Sequence, residues 1–225
     1  MLNSTLADTN SGSFVKVQGR QKETTLRTLV LQYNLPDLPK LIIGHYKFNY
    51  PSLFNYNIND PDADVYTVKD ASVESFSNLW VRLPSFQEDN YVDQVVQATG
   101  TQIFRGNGPC ADWVWIRKGD SDMAPGGMSD CIPARLNCIF KMRITRSDLV
   151  YRLAYATLTT IVGGRRVKND EGMFKVCMTD PPKNVVVKVA DIAGMAHLIP
   201  LEPDQVWYIN NRIDLHTWNM VYVNE

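Results

Sequence analysis

The chain has 225 residues, 44% of them hydrophobic and 21% charged, and a formal net charge of -1 at pH 7. That length can bury a sizeable core, and the composition is ordinary for a globular protein. Near-neutrality excludes a protein devoted to non-specific phosphate binding, which needs a clear cationic excess, and leaves room for a local basic face.

No apolar run approaches the roughly 20 residues of a membrane-spanning helix, so no membrane partner is expected. Residues 1–13 have neither the basic nor the apolar region of a secretory signal. Cys110, Cys131, Cys138 and Cys177 include no Cys-x-x-Cys pair, and a reducing intracellular compartment is the simplest setting.

Residues 1–25 are rich in Ser, Thr, Asn and Gln. They are expected to form a flexible lead-in to a single β-rich domain spanning residues 26–225. TLRTLVLQYN reads as a short strand or a helical turn. Asp37 before Leu38-Pro39 marks a helix start, and Leu41, Ile42, His45, Tyr46 and Phe48 make one face of a helix ending before Pro51.

VYTV and SVESFSNLWVRL then read as strands. EDNYVDQVVQATG is expected to be a helix over residues 90–98, because Val92, Val95 and Val96 recur at helical spacing. DWVWIRK is a strand with Trp113 and Trp115 on one face. In the next strand, Leu136, Cys138, Phe140, Met142 and Ile144 alternate with Arg135, Asn137, Lys141 and Arg143, interrupted by Ile139. This pattern predicts a half-buried strand with cations on its solvent face.

From Leu149 onward, β-branched and aromatic runs separated by Gly, Pro, Asn or Asp predict a continuous antiparallel sheet. The expected fold class is therefore mainly β: an antiparallel barrel or strongly bent sheet with one or two short helices, near residues 37–49 and 90–98.

The candidate chemistry is sparse. Asp120, Asp122 and Asp130 flank a glycine-rich loop, but their spacing lacks the Gly and Glu positions of an EF-hand. A solvated loop is the expectation, and no metal or cofactor is implied. Asp191, His197, Asp214 and His216 supply acid and imidazole pairs for a small hydrolase or nuclease, with no nucleophile marked out beside them. Arg165, Arg166 and Lys168 follow a Gly-Gly turn and, with Arg143 and Arg152, would form a basic surface for nucleic acid if the fold brings them together. Trp113, Trp115, Trp207, Tyr208, Trp218 and Tyr222 are mostly expected in the core. A subset lining a groove could stack a base or a methylated lysine.

The segments ADIAGMAHLIP and WYINNRIDLHTWN carry a resemblance. Asp191, Ala196, His197, Leu198, Ile199 and Pro200, then Tyr208, Ile209, Asn210, Ile213, Asp214 and His216, resemble the C-terminal ending of fungal transposon proteins of the Kyakuja, Dileera, Zisupton and Plavaka type. NLPDLPKLI, ADWVWIR and IPARLNCIFKMR are similar to upstream parts of the same proteins. In that family the nuclease core lies upstream of the matched part, so no catalytic residue carries over. The resemblance implies an accessory β module, akin to a bromo-adjacent-homology barrel, that contacts DNA, chromatin or a protein partner. It also implies an intracellular, nuclear setting and a domesticated remnant with a role of its own.

Overall fold

The computed structural model describes residues 6–7, 14–20, 23–49, 68, 71–84, 91–98, 111–118, 130–143, 150–163, 172–201 and 206–210. It is mainly β, an open and strongly curled antiparallel half-barrel carrying two short helices.

The first strands are β1 (Leu6–Ala7), β2 (Phe14–Arg20) and β3 (Thr24–Thr25). Helix α1 (Leu26–Tyr33) follows, its first turn capped by Thr25 Oγ1 accepting from Thr28 N at 3.2 Å. It ends at Asn34, whose φ of 53° breaks the helix. Helix α2 (Leu38–Asn49) starts where Asp37 and Pro39 predict, with Leu41 N donating to Asp37 O at 3.0 Å.

The remaining strands are β4 (Ser72–Pro84), β5 (Tyr91–Gln97), β6 (Trp113–Arg117), β7 (Cys131–Arg143), β8 (Val150–Ile161), β9 (Lys175–Met178), β10 (Asn184–Lys188), β11 (Ile192–Met195), β12 (Leu198–Leu201) and β13 (Val206–Ile209). A short 3-10 helix, Val189–Asp191, joins β10 to β11. All pairings are antiparallel, along the path β1-β2-β4-β7-β8-β9-β13-β12. β3 and β5 flank β4, β6 lies between β7 and β11, and β10 is paired with β8.

Two expectations need correction. The segment expected as a helix over 90–98 is strand β5. Its valines are β-branched and suit a pleated surface as well as a helix. The hairpin with β4 decides between them by offering seven cross-strand pairs from Asn78↔Gln97 to Pro84↔Tyr91. The pair Arg82↔Asp93 closes as a two-pronged guanidinium-carboxylate contact at 2.6 and 2.8 Å. That bond holds the Asp93 carboxyl below its ordinary range.

The solvent face predicted for β7 does not exist as a single face. The register with β8 shifts between Leu136 and Cys138, so Asn137 is an extra residue that swaps the sides. Leu136 and Ile139 therefore face one core, and Cys138, Phe140 and Met142 face another.

The first of these cores lies under the helices, where Leu26, Leu29, Leu38, Ile42 and Tyr46 pack on Cys138, Phe140, Leu153 and Tyr155. The second lines the inside of the curl, where Leu79, Val81, Val96, Val114, Leu136, Ile139, Ala154 and Ala156 meet. A third packs Trp115 and Cys131 under Phe174, Val176 and Ile209, so the sheet that begins at β9 folds over one end of β6 and β7. A sheet covered on both faces shows no clean polar alternation.

Gly19 is required where β2 crosses β4: its φ is +69°, and a Cβ there would collide with the Ser77 hydroxyl. The edge of β10 is covered by α2, whose His45 donates from Nδ1 to the Val186 carbonyl at 3.1 Å.

Burial in these cores makes three groups weaker acids. The Cys131 thiol is pushed up to about 11 from an ordinary 9.0, chiefly by burial and against the pull of Arg117. Burial raises the Cys138 thiol still further, and burial followed by the bond to Asp37 raises the Tyr155 phenol. Each group is neutral when protonated, and the unfolded chain releases its proton first. For Cys131 the stabilisation is thus complete below about pH 9 and is lost as pH climbs through about 11. Urea unfolding across that window should show Cys131 alone removing roughly 3 kcal/mol. In Cys131→Ala that part of the loss should vanish; an unchanged pH profile would contradict it.

Candidate interaction surfaces

Lys141 stands opposite Arg152 on the neighbouring strand and opposite Glu74 on the other side, while Arg143 stands opposite Val150. Side chains two residues apart on a strand share a face. Lys141 and Arg143 therefore continue the side of Ile139, Arg152 continues that of Ala154, and Glu74 that of Phe76. All four lie on the inner face of the curl, at its mouth, where the apolar lining ends.

Lys141 Nζ reaches Glu74 Oε1 at 3.4 Å, and both side chains are partly buried. Arg143 is exposed and Arg152 half-buried. Simple alternation along β7 puts Lys141 and Arg143 on one solvent face together with Arg135. The bulge at Asn137 instead puts Arg135 on the opposite side, because its neighbours Ala134 and Leu136 point into the curl.

Arg165, Arg166 and Lys168 lie outside the described residues. They follow Gly163, which has a φ of +76° and lies beyond the end of β8 remote from Arg152. From Arg152 to that end, β8 covers roughly 30 Å.

Among the acid and imidazole candidates, Asp191 is engaged structurally. Its Oδ2 accepts from Lys188 N at 3.0 Å and closes the 3-10 helix. His197 is half-buried between β11 and β12, its carbonyl accepting from Asn210 N at 2.7 Å. Asp214 and His216, like Asp120, Asp122, Trp218 and Tyr222, lie outside the described residues. Asp130 is half-buried, its carbonyl accepting from Lys118 N. Among the described residues no group of three or more His, Cys, Asp or Glu side chains is placed to hold a metal ion. No helix among them is long and apolar enough to cross a membrane.

One polar constellation escaped the sequence reading. Tyr155 donates to Asp37 Oδ1 at 2.7 Å, and Asn184 Nδ2 donates to Asp37 Oδ2 at 2.9 Å. Thr157 donates to Asn184 Oδ1 at 2.9 Å and accepts from Asn137 Nδ2 at 2.8 Å. Four segments far apart in the chain thereby share one continuous string of hydrogen bonds. The available signal was the extra residue at Asn137 in an otherwise alternating strand.

The aromatic candidates divide. Trp115 is fully buried, whereas Trp113 and Trp207 are half-exposed and packed together with ring centroids 4.8 Å apart at 58°. Compared with family models, with curated proteins and with solved structures, the chain matches none.

Proposed function

We propose that this protein is a non-enzymatic binding module, an accessory β domain of transposon descent that holds an anionic partner at the mouth of its half-barrel. Descent is supported by the short motifs around His197 and Asn210. Binding is supported by one geometric observation: Lys141, Arg143 and Arg152 emerge side by side on two adjacent strands, with Glu74 as the carboxylate set against them. DNA, or the acidic surface of a chromatin protein, supplies the complementary charge. Such a site steers and holds by charge and performs no bond chemistry.

The test is a DNA titration at several salt concentrations, comparing the wild type with Arg143→Glu/Arg152→Glu. Three phosphate contacts correspond to a slope of log affinity against log salt of about -3, and loss of two should bring it to about -1. Absence of binding at low salt, or a slope untouched by the double substitution, would overturn the proposal.

A further inference from the structure

The helix-bearing face of the sheet is buried, then open, then buried again along β7 and β8. At one step Trp115 is buried beneath Phe174 and Ile209, and Pro133, opposite it, and Thr159, bonded to the Pro133 carbonyl, are buried as well. At another, Cys138, Tyr155 and Val186 are buried beneath α1 and α2. Between them runs a register row across four strands: Trp113, Arg135, Thr157 and Asn184. Residues directly opposite each other project to the same side. Arg135 is exposed and the other three are half-exposed. Two covering layers thus stop short of one another, and this row is the floor of the cleft between them.

We infer that this cleft binds a neutral oligosaccharide. Three strand spacings make the row roughly 14 Å long, which suits a few sugar rings rather than one. At one end the tilted pair Trp113 and Trp207 offers an indole surface for the C–H face of a ring. Next stands Arg135, which has no hydrogen bond or ion pair with any described residue and presents a planar fork of donors. The amides of Asn137 and Asn184 and the Thr157 hydroxyl follow, already oriented by their mutual bonds. A floor fixed before binding loses little freedom when a ligand arrives.

Charge and backbone pairing select among ligand classes. Arg135, second in the row, is balanced by Asp37 beside Asn184 at the far end, so the cleft lacks the cationic track that single-stranded nucleic acid requires. β7 and β8 are paired on both sides, so no open strand edge is offered to an extended peptide. Mixed donors and acceptors beside an aromatic platform match hydroxyl groups.

Saturation-transfer NMR with cellohexaose, chitohexaose, maltohexaose and mannohexaose, each against the full chain, tests the inference. Oligothymidylate and oligogalacturonate serve as anionic competitors. At least one neutral hexasaccharide should receive saturation at its ring protons. Arg135→Ala, at an exposed position that cannot disturb the core, should weaken it by roughly tenfold. Trp207→Ala should abolish it with the circular dichroism spectrum retained, and Arg143→Glu should leave it unchanged. No transfer to any of the four sugars, equal binding by Arg135→Ala, or displacement by oligothymidylate would overturn the assignment.

Discussion

Asp37→Ala should destabilise the protein by about 3 kcal/mol, read as a shift in the urea midpoint at constant slope. The carboxylate is the shared acceptor for Tyr155, which is only 3% exposed, and for the Asn184 amide. Truncating it leaves the buried Tyr155 hydroxyl without an acceptor, at a cost on the order of 1 to 3 kcal/mol, and takes away the fixed partner of the half-exposed Asn184 amide. The substitution also removes a negative charge ahead of α2, where the helix end favours one. Tyr155→Phe deletes a donor and leaves behind a carboxylate that still touches solvent, so it should cost only about 1 kcal/mol. The double variant should cost less than the two single effects added together, because the bond they share can be lost only once. Strict additivity would show that Asp37 and Tyr155 do not act as a unit.

Trp115→Ala should cost about 4 kcal/mol and Trp115→Phe much less, about 1 kcal/mol. Trp115 is fully buried among Cys131, Phe174, Val176, Ala193 and Ile209, and it ties β6 to the strands that fold over it. Truncation to alanine removes that contact and opens a cavity. The indole N–H is buried with no hydrogen-bond partner among the described residues, so the wild type already carries the cost of its desolvation. Phenylalanine keeps most of the apolar volume and deletes the orphan donor, and the two effects partly offset each other. Thermal unfolding followed by circular dichroism measures both variants. Equal losses in the two would mean that the indole N–H is satisfied in solution and that its removal brings no relief.

Both experiments probe the seam where helices and overlying strands meet one sheet face, which is also where the cleft opens. Asp37 and Trp115 bear on its walls, while Trp113 and Arg135 form its floor. Loss of stability in the first group and loss of binding in the second are separable outcomes.

Much of the β architecture could be read from the chain. The turn residues around β8 to β13 mark the breaks between strands, and Asp37 with Pro39 marks the start of α2, because these are local preferences acting within a few residues. The valines of β5, at helical spacing, suit either state; Arg82 and the rest of β4, from earlier in the chain, favour the strand. The cations were placed on one outer face by simple alternation. The bulge at Asn137 reverses that parity, sending Arg135 to the cleft and Lys141 and Arg143 to the mouth of the curl.

The amino-acid order alone thus determined composition, strand and helix starts, and the presence of scattered cations and aromatics. Only the tertiary structure decided which of them share a surface. The physical reason is range: propensity and alternation act over a few neighbours, whereas the string from Asn137 through Thr157 and Asn184 to Asp37 joins groups up to 147 residues apart, brought together by burial of a common core.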